Sequence, residues 1–167
     1  MGGGVCHKER SPFWLASFLS VCLIFLSVLL VSPASAAPVK ILALGTSLTQ
    51  GYGLPPGTEF PAVLEARLRA AKIDARVINA GVSGDTSAGG AARIDWSLAD
   101  HPAFAIVELG SNDALRGLSP QQTEKNLSAV LEKLKAANVR VLLLGMRAPR
   151  NLGPDYAAEF DAIYPRL

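Results

Sequence analysis

Cysteine and histidine are scarce in this sequence of 167 residues, which has two of each. Both cysteines, Cys6 and Cys22, and one histidine, His7, lie within the first 36 residues. Beyond that point no disulfide can form, and no cluster of cysteine and histidine is available to bind a metal such as zinc. We therefore expect a domain that is stabilised by its apolar core alone and has neither a metal nor another cofactor.

Net charge is also small. Lys8, Glu9 and Arg10 belong to the first 36 residues, which leaves 14 basic and 13 acidic residues beyond them. This balance argues against nucleic acid and against an anionic membrane as a stable partner. The glycine-rich stretch after residue 44 lacks the lysine and the spacing of a phosphate-binding loop, which argues against a nucleotide-binding protein.

The first 36 residues have the pattern of a secretory signal peptide. A basic start precedes an apolar run from Phe13 to Val31, Pro33 follows, and Ala34-Ser35-Ala36 forms an A-x-A cleavage site. We expect export to the periplasm or the medium, with a mature domain at 37–167. The alternative is an uncleaved anchor in the inner membrane, because the apolar run at 13–31 is close to the minimum length for a span.

Apolar runs and helical spacings alternate along the remaining chain. Four runs are predicted as strands: Val39 to Leu44, Ala75 to Ile78, Phe104 to Leu109 and Val139 to Gly145. Helical patterns follow them at Phe60 to Ala71, Thr86 to Ser97 (with Asp85 as the N-cap), after Ser119, and from Tyr156 to Tyr164. This alternation predicts an α/β fold, a three-layer α/β/α flavodoxin-like domain with a parallel sheet.

The helix after Ser119 has the clearest signals. Ser119 is its predicted N-cap, Pro120 suits the first turn, and Gln122 completes a capping box. Its buried face is predicted to consist of Leu127, Val130, Leu131 and Leu134.

Candidate site residues follow closely after three of the strands. Ser47 comes after the first, Gly81 after the second and Asn112 after the third. The carboxyl ends of parallel strands open on one edge, so the three residues are expected to share a cleft. Acyl transfer needs a nucleophile and donors for the developing oxyanion, which Ser47, the Gly81 N–H and the Asn112 amide provide. Each residue is also a common turn former, and taken singly that interpretation stays open.

Three stretches resemble the SGNH (GDSL-type) hydrolases, in particular the branch of periplasmic acyl-CoA thioesterases, lysophospholipases and arylesterases. They are GTSLTQGYGL at 45–54, NAGVSGDTSAGG at 79–90 and VELGSNDALRGLSPQQTEKNL at 107–127, and FDAIYPRL at 160–167 is similar too. The resemblance implies that Ser47 is the nucleophile, and that Gly81 and Asn112 are oxyanion-hole donors together with the Ser47 N–H.

The sequence departs from this family at three points. Thr46 and Ser111 stand where the family usually has Asp and Gly. The triad Asp and His are not present, because residues 37–167 contain no Asp-x-x-His motif and end before a fifth strand. The domain is therefore expected to lack its last strand and C-terminal helix. The remaining histidine, His101, is predicted in a surface turn at the amino edge of the sheet, and Glu108 is predicted to be structural.

The resemblance implies a serine esterase or thioesterase that acts on a small acyl ester or thioester through an acyl-enzyme on Ser47. Without a histidine base this chain itself is expected to be inactive. The alternative is a non-catalytic acyl-binding domain. Four apolar residues are candidates for an acyl pocket, although burial in the core explains each equally well: Leu54, Leu115, Leu118 and Met146.

Overall fold

The computed structural model describes residues 1–4 and 37–167. The predicted apolar run at 13–31 and the predicted cleavage site lie outside the described residues. Within the part of the chain that the structure describes, no helix has both the length and the apolar character needed to cross a membrane.

The sheet has four strands, all parallel, in the order β2-β1-β3-β4. The strands are β1 (Val39–Gly45), β2 (Ala75–Gly81), β3 (Phe104–Glu108) and β4 (Arg140–Leu143). This order is that of flavodoxin-like folds, in which the chain moves outwards from β1 in one direction and then in the other. The predicted α/β class and parallel sheet are confirmed.

Seven helices accompany the strands among the described residues. They are α1 (Ser47–Gln50), α2 (Phe60–Ala70), α3 (Ser87–Ser97), α4 (Ser111–Leu115), α5 (Pro120–Ala136), α6 (Pro154–Asp161) and α7 (Ile163–Arg166). Short 3₁₀ turns occur at Leu98–Asp100 and Arg150–Leu152. The sequence patterns predicted loops where α1 and α4 occur. The single helix predicted from Tyr156 to Tyr164 is interrupted at Ala162, between α6 and α7.

The core lies mainly between the sheet and the pair α3 and α5, which pack against each other. From β1, Leu42 and Leu44 are fully buried, and from α5 the predicted residues Leu127, Val130 and Leu134 are fully buried. Leu131 is only partly buried. The core confirms the predicted apolar face of α5 except at this last position.

Helix N-termini show one confirmed and one corrected cap. The Gln122 N–H donates to Ser119 Oγ at 3.2 Å, as predicted, but the Gln122 side chain donates to Asn126 instead of returning to the cap. The N-cap of α3 is Thr86, whose Oγ1 accepts the Gly89 N–H. Asp85 was predicted as this N-cap, but it lies one residue before the cap. Its Oδ1 accepts the N–H of Thr86.

Strand register brings the three polar loops to one edge. Gly45, the last residue of β1, is opposite Gly81 of β2 and Glu108 of β3. The loops that contain Ser47 and Asn112 therefore leave the sheet side by side, at the point where the strand order reverses. In open α/β sheets this is the usual position of a ligand site.

Candidate active site

Ser47 is the first residue of α1, which begins immediately after β1. Gly45 makes this abrupt change of direction possible, because a Cβ there would lie 1.9 Å from Thr49 Oγ1. Gly51 ends the helix with φ at 87° in the left-handed region. As the first helical residue, Ser47 has a backbone N–H with no acceptor inside the helix, and its side chain is partly exposed.

Glu108, at the end of β3, stabilises this turn through hydrogen bonds to its carboxylate. Its side chain is 4% exposed, and its Oε2 accepts the Thr46 N–H at 2.9 Å and the Thr49 hydroxyl at 2.8 Å. The Thr46 hydroxyl donates to the same carboxylate at 3.0 Å. The carboxylate thus fixes Thr46, just before α1, and Thr49, within α1. The prediction that Glu108 is structural is confirmed, although its link to the Ser47 turn was not predicted.

Gly81 is not available as a donor in this structure. Its N–H donates to Asn79 Oδ1 at 3.0 Å, and a Cβ at this position would lie 2.1 Å from the Gln50 N atom. Gly81 is therefore a close-packing glycine between β2 and α1. This hydrogen bond argues against the predicted role of Gly81 in an oxyanion hole.

The same loop contains another donor. From Val82 to Thr86, four N–H groups have acceptors: those of Val82 (Gly45 O), Ser83 (Gln50 Oε1), Asp85 (Val82 O) and Thr86 (Asp85 Oδ1). The Gly84 N–H has none among the described residues. Gly84 has φ at 78° and lies in an exposed turn. The sequence pattern predicted Gly81, at the end of the strand, as the oxyanion donor. Only the hydrogen bonds of the loop distinguish Gly81 from Gly84.

Arg93 of α3 braces this loop against the sheet. Its guanidinium donates to Asp85 Oδ2 at 2.7 Å, to Ala80 O at 2.8 Å and to Gly45 O at 2.9 Å. One side chain therefore joins the ends of β1 and β2 to the loop between β2 and α3. No pattern in the sequence indicates this role.

Asn112 lies in α4, beside the Ser47 turn. Its Nδ2 donates to Asp85 O at 2.7 Å, which orients the amide and leaves its second N–H for another acceptor. The preceding residue, Ser111, has its hydroxyl 3.4 Å from the Thr46 hydroxyl, so the two loops are in contact. The expectation that the loops of Ser47 and Asn112 meet at one edge agrees with these contacts.

Asp113 faces away from the cleft. It is 1% exposed, and its carboxylate accepts the Ser87 N–H at 2.8 Å, the Ser87 hydroxyl at 2.5 Å and the Thr123 hydroxyl at 3.3 Å. It therefore ties α4 to α3 and α5. Asp85 is likewise engaged, through its ion pair with Arg93.

Within residues 37–167 the only histidine is His101, and it is exposed with φ at 52° at the turn before β3. The predicted surface turn is confirmed. This turn is at the amino edge of the sheet, a full strand length from Ser47. No group of three or more His, Cys, Asp or Glu side chains among the described residues is arranged to hold a metal ion.

Two cavities lie away from Ser47. One of about 420 Å³ adjoins the end of β4, beside Arg147, Asp161 and Tyr164. The other, of about 270 Å³, lies on the sheet face between β3 and β4, beside Phe104 and Leu142. The Tyr164 hydroxyl donates to Leu109 O at 2.9 Å, and burial, followed by the nearby Asp113 and Glu108, raises the pKa of Tyr164 well above its ordinary value.

Comparison with known proteins gives a consistent picture. The GDSL-like Lipase/Acylhydrolase family matches residues 43–167. Esterase TesA of Pseudomonas aeruginosa is 43% identical over 89% of this chain and 73% of its own length. Thioesterase 1/protease 1/lysophospholipase L1 of Escherichia coli K12 is 43% identical over 86% of this chain and 68% of its own. The crystal structure of AlinE4, an SGNH-hydrolase family esterase, is 54% identical with a TM-score of 0.76, over 80% of this chain and 72% of that one.

Proposed function

The chain belongs to the GDSL-like lipase/acylhydrolase family and is by that relationship a carboxylic ester hydrolase, and we propose that Ser47 is its nucleophile. The observation that carries this proposal is the position of Ser47. It is the first residue of a helix held by Glu108, and its turn contacts the turn that contains Asn112, through the Thr46 and Ser111 hydroxyls, at the carboxyl edge of the sheet. The substrate is an acyl ester or thioester of small size, and nucleic acid is not a partner.

Three donors serve the oxyanion in this proposal: the Ser47 N–H, the second N–H of the Asn112 amide, and the Gly84 N–H in place of that of Gly81. Ser47 Oγ bonds to the acyl carbon as its proton leaves to a base. The carbonyl oxygen takes up the negative charge, and the leaving alcohol or thiol departs with a proton. Water then attacks the acyl-enzyme by the same route, which releases the acid and restores the Ser47 hydroxyl.

Residues 37–167 do not supply the base that this mechanism needs to take the Ser47 proton. His101 is a strand length away, and Asp85 and Asp113 are occupied by Arg93 and by Ser87 and Thr123. We therefore expect the 37–167 polypeptide to turn over esters slowly, with about 10³–10⁴-fold acceleration over water from binding and the oxyanion donors. The alternative is an acyl-binding domain without catalysis, which the same loops support.

Hydrolysis of a p-nitrophenyl ester by the 37–167 polypeptide tests the nucleophile and the base together. We expect a slow rate that falls further in Ser47→Ala and in Asn112→Ala. Ser83→Ala is the matched control, because Ser83 lies in the neighbouring loop and contributes only its N–H. Fast turnover abolished by Ser47→Ala would contradict the missing base, and a rate unchanged by Ser47→Ala would contradict the nucleophile.

Export is a separate part of the proposal, supported by the leader pattern at 1–36. N-terminal sequencing of the protein from the cell envelope or the medium is expected to begin near Ala37. A product that begins at Met1 would favour the membrane-anchored alternative.

A further inference from the structure

The loops around Ser47 expose several large apolar side chains. Six large apolar side chains, each at least 41% exposed, form what we call the apolar rim: Leu48, Tyr52, Leu54, Val82, Leu115 and Leu118. Tyr52 is 79% exposed and Leu115 is 70% exposed. Burial in the core was an open interpretation for three of the six, and their exposure removes it. Exposed apolar patches at one site commonly mark a surface for binding another molecule.

Hydrogen bonds join the loops of the apolar rim into one surface. The Ser83 N–H donates to Gln50 Oε1 at 2.8 Å, which links the loop after β1 to the loop after β2. Arg116 Nη2 donates to Gly84 O at 2.8 Å and Asn112 Nδ2 to Asp85 O, which links the loop after β2 to the loop after β3. The six side chains therefore belong to a connected edge of the molecule.

Within the three loop segments themselves, the exposed charge has one sign. The segments 47–54, 79–86 and 111–118 contain two carboxylates, but Asp113 is buried and the side chain of Asp85 is 12% exposed and paired with Arg93. The one other charged side chain in these segments, Arg116, is exposed. Glu59 adjoins Gly51 from outside these segments, and its Oε2 accepts the Gly57 N–H. Loops whose own accessible charge is a guanidinium, set among apolar side chains, complement lipid headgroups that carry phosphate.

We propose that the apolar rim is a reversible docking surface for a lipid assembly, a micelle or a bilayer, which the protein contacts with the edge that contains Ser47. The choice of a lipid surface over a second copy of the chain rests on the proposed function, because an acyl ester can pass from a lipid surface to the cleft beside Ser47, which a protein partner would cover. Leucine and tyrosine side chains suit the boundary between headgroups and acyl chains. The near-neutral net charge, which argues against a stable anionic partner, does not describe this local surface.

Vesicle sedimentation with the 37–167 polypeptide, which contains its own core, tests the proposal without any need for catalysis. Binding to phosphatidylcholine vesicles that contain phosphatidylglycerol is expected, with weaker binding to phosphatidylcholine alone. The combined variant Leu48→Ser, Tyr52→Ser and Leu115→Ser should reduce the apparent affinity by about tenfold or more. These side chains are exposed, so circular dichroism and thermal unfolding should match the parent.

Trp96→Ser is the matched control. Trp96 is 85% exposed, but it lies near the end of α3, at the opposite edge of the sheet, so its loss should leave vesicle binding unchanged. Leu142→Ser tests the other exposed apolar surface, on β4, and should also bind normally. Absence of vesicle binding by the parent, or binding lost in Leu142→Ser and kept in the combined variant, would overturn the proposal. So would a dimer of the parent that the combined variant abolishes while vesicles remain unbound.

Tryptophan fluorescence gives a second measurement that does not depend on loss of binding. Trp96 is the only tryptophan beyond the leader. In a Trp96→Phe background, the tryptophan introduced by Tyr52→Trp is expected to shift its emission to shorter wavelength when vesicles are added. The emission of Trp96 in the parent should stay constant. A shift at Trp96 with none at position 52 would place the contact on the wrong edge.

Discussion

Glu108 is the residue on which the geometry around Ser47 depends most directly. No cation is paired with it among the described residues, and its charge is satisfied by the Thr46 N–H and by the hydroxyls of Thr46 and Thr49. Hydrogen bonds to a charged group are stronger than those between neutral groups, and a buried carboxylate needs them. Thr46 therefore helps to stabilise the turn, because its hydroxyl donates to this carboxylate.

Glu108→Gln should lower the free energy of unfolding by about 1 to 2 kcal/mol, because neutral hydrogen bonds replace charge-assisted ones at nearly the same size. Urea unfolding followed by circular dichroism measures the change. Glu132→Gln, an exposed position on α5, is the control and should be near neutral. Equal stability of the two variants would show that the carboxylate charge is not needed at position 108.

Ionisation of the Tyr164 phenol is expected to make the free energy of unfolding depend on pH in the alkaline range. Burial, with Asp113 and Glu108 nearby, raises the pKa of Tyr164 in the folded state above the value in the unfolded chain. The folded state therefore holds this proton more tightly. Its contribution to stability is complete below the unfolded pKa, about 10, and is lost as the pH rises above that value.

Tyr164→Phe is expected to flatten this alkaline decline in the free energy of unfolding, measured by urea unfolding between neutral pH and about pH 11. At neutral pH the variant should be less stable, because the hydrogen bond to Leu109 O is lost. Tyr52→Phe, which removes an exposed phenol, should leave the decline as it is. An unchanged slope in Tyr164→Phe would contradict the assignment.

Among the elements, the contact between α1 and β2 decides where Ser47 lies. Gly81 allows the backbone of Gln50 to approach β2 so closely that no side chain fits between them. Arg93 reinforces the junction, since it joins the ends of β1 and β2. The position of the short helix α1 thus follows from its neighbours, because four residues are too few to form a stable helix alone.

Gly81→Ala should destabilise the fold by about 1 to 3 kcal/mol, because the added methyl group lies 2.1 Å from the Gln50 N atom and α1 must shift. Gly145→Ala is the matched control, with its nearest contact at 3.5 Å, the Tyr164 Cβ. Thermal unfolding of both variants compares them. Equal thermal stability of the Gly81→Ala and Gly145→Ala variants would show that α1 can shift without loss of folding free energy.

In the molecule as a whole, helices bury one face of the sheet more completely than they cover the edge strand β4. α3 and α5 bury the face that includes Leu42 and Val107, whereas Leu142 on the edge strand β4 is 57% exposed. An edge strand with exposed apolar residues is a template for pairing with another chain. The chain spans about 68–73% of the length of the curated relatives it matches.

Leu142→Lys should therefore reduce self-association of the 37–167 polypeptide, since a charge on an edge strand disfavours pairing between sheets. Size-exclusion chromatography over a range of protein concentrations measures the effect. Ile73→Lys is the control, because Ile73 is exposed after α2 and lies away from the edge strand. A parent that remains monomeric at all concentrations would contradict the expectation.

The class of fold and the edge of the sheet that contains Ser47 were both predictable from the sequence. The strands and α5 follow from local patterns, since apolar runs and the Ser119 cap act over a few residues. The family motifs, which the comparisons support, led to Ser47 and Asn112 as candidates. The helices α1 and α4 were missed because tertiary contacts, more than local propensity, stabilise helices of four or five residues.

The groups that surround these candidates were not predictable from the sequence, because they come from distant segments of the chain. Glu108 contacts Thr46 across 62 positions of sequence, and Arg93 contacts Gly45 across 48. The difference between Gly81 and Gly84 depends on which N–H groups already have acceptors, and the acceptors for this loop come from several separate segments. Hydrogen bonds of this kind are set by how distant segments pack together, and no spacing along the chain encodes them.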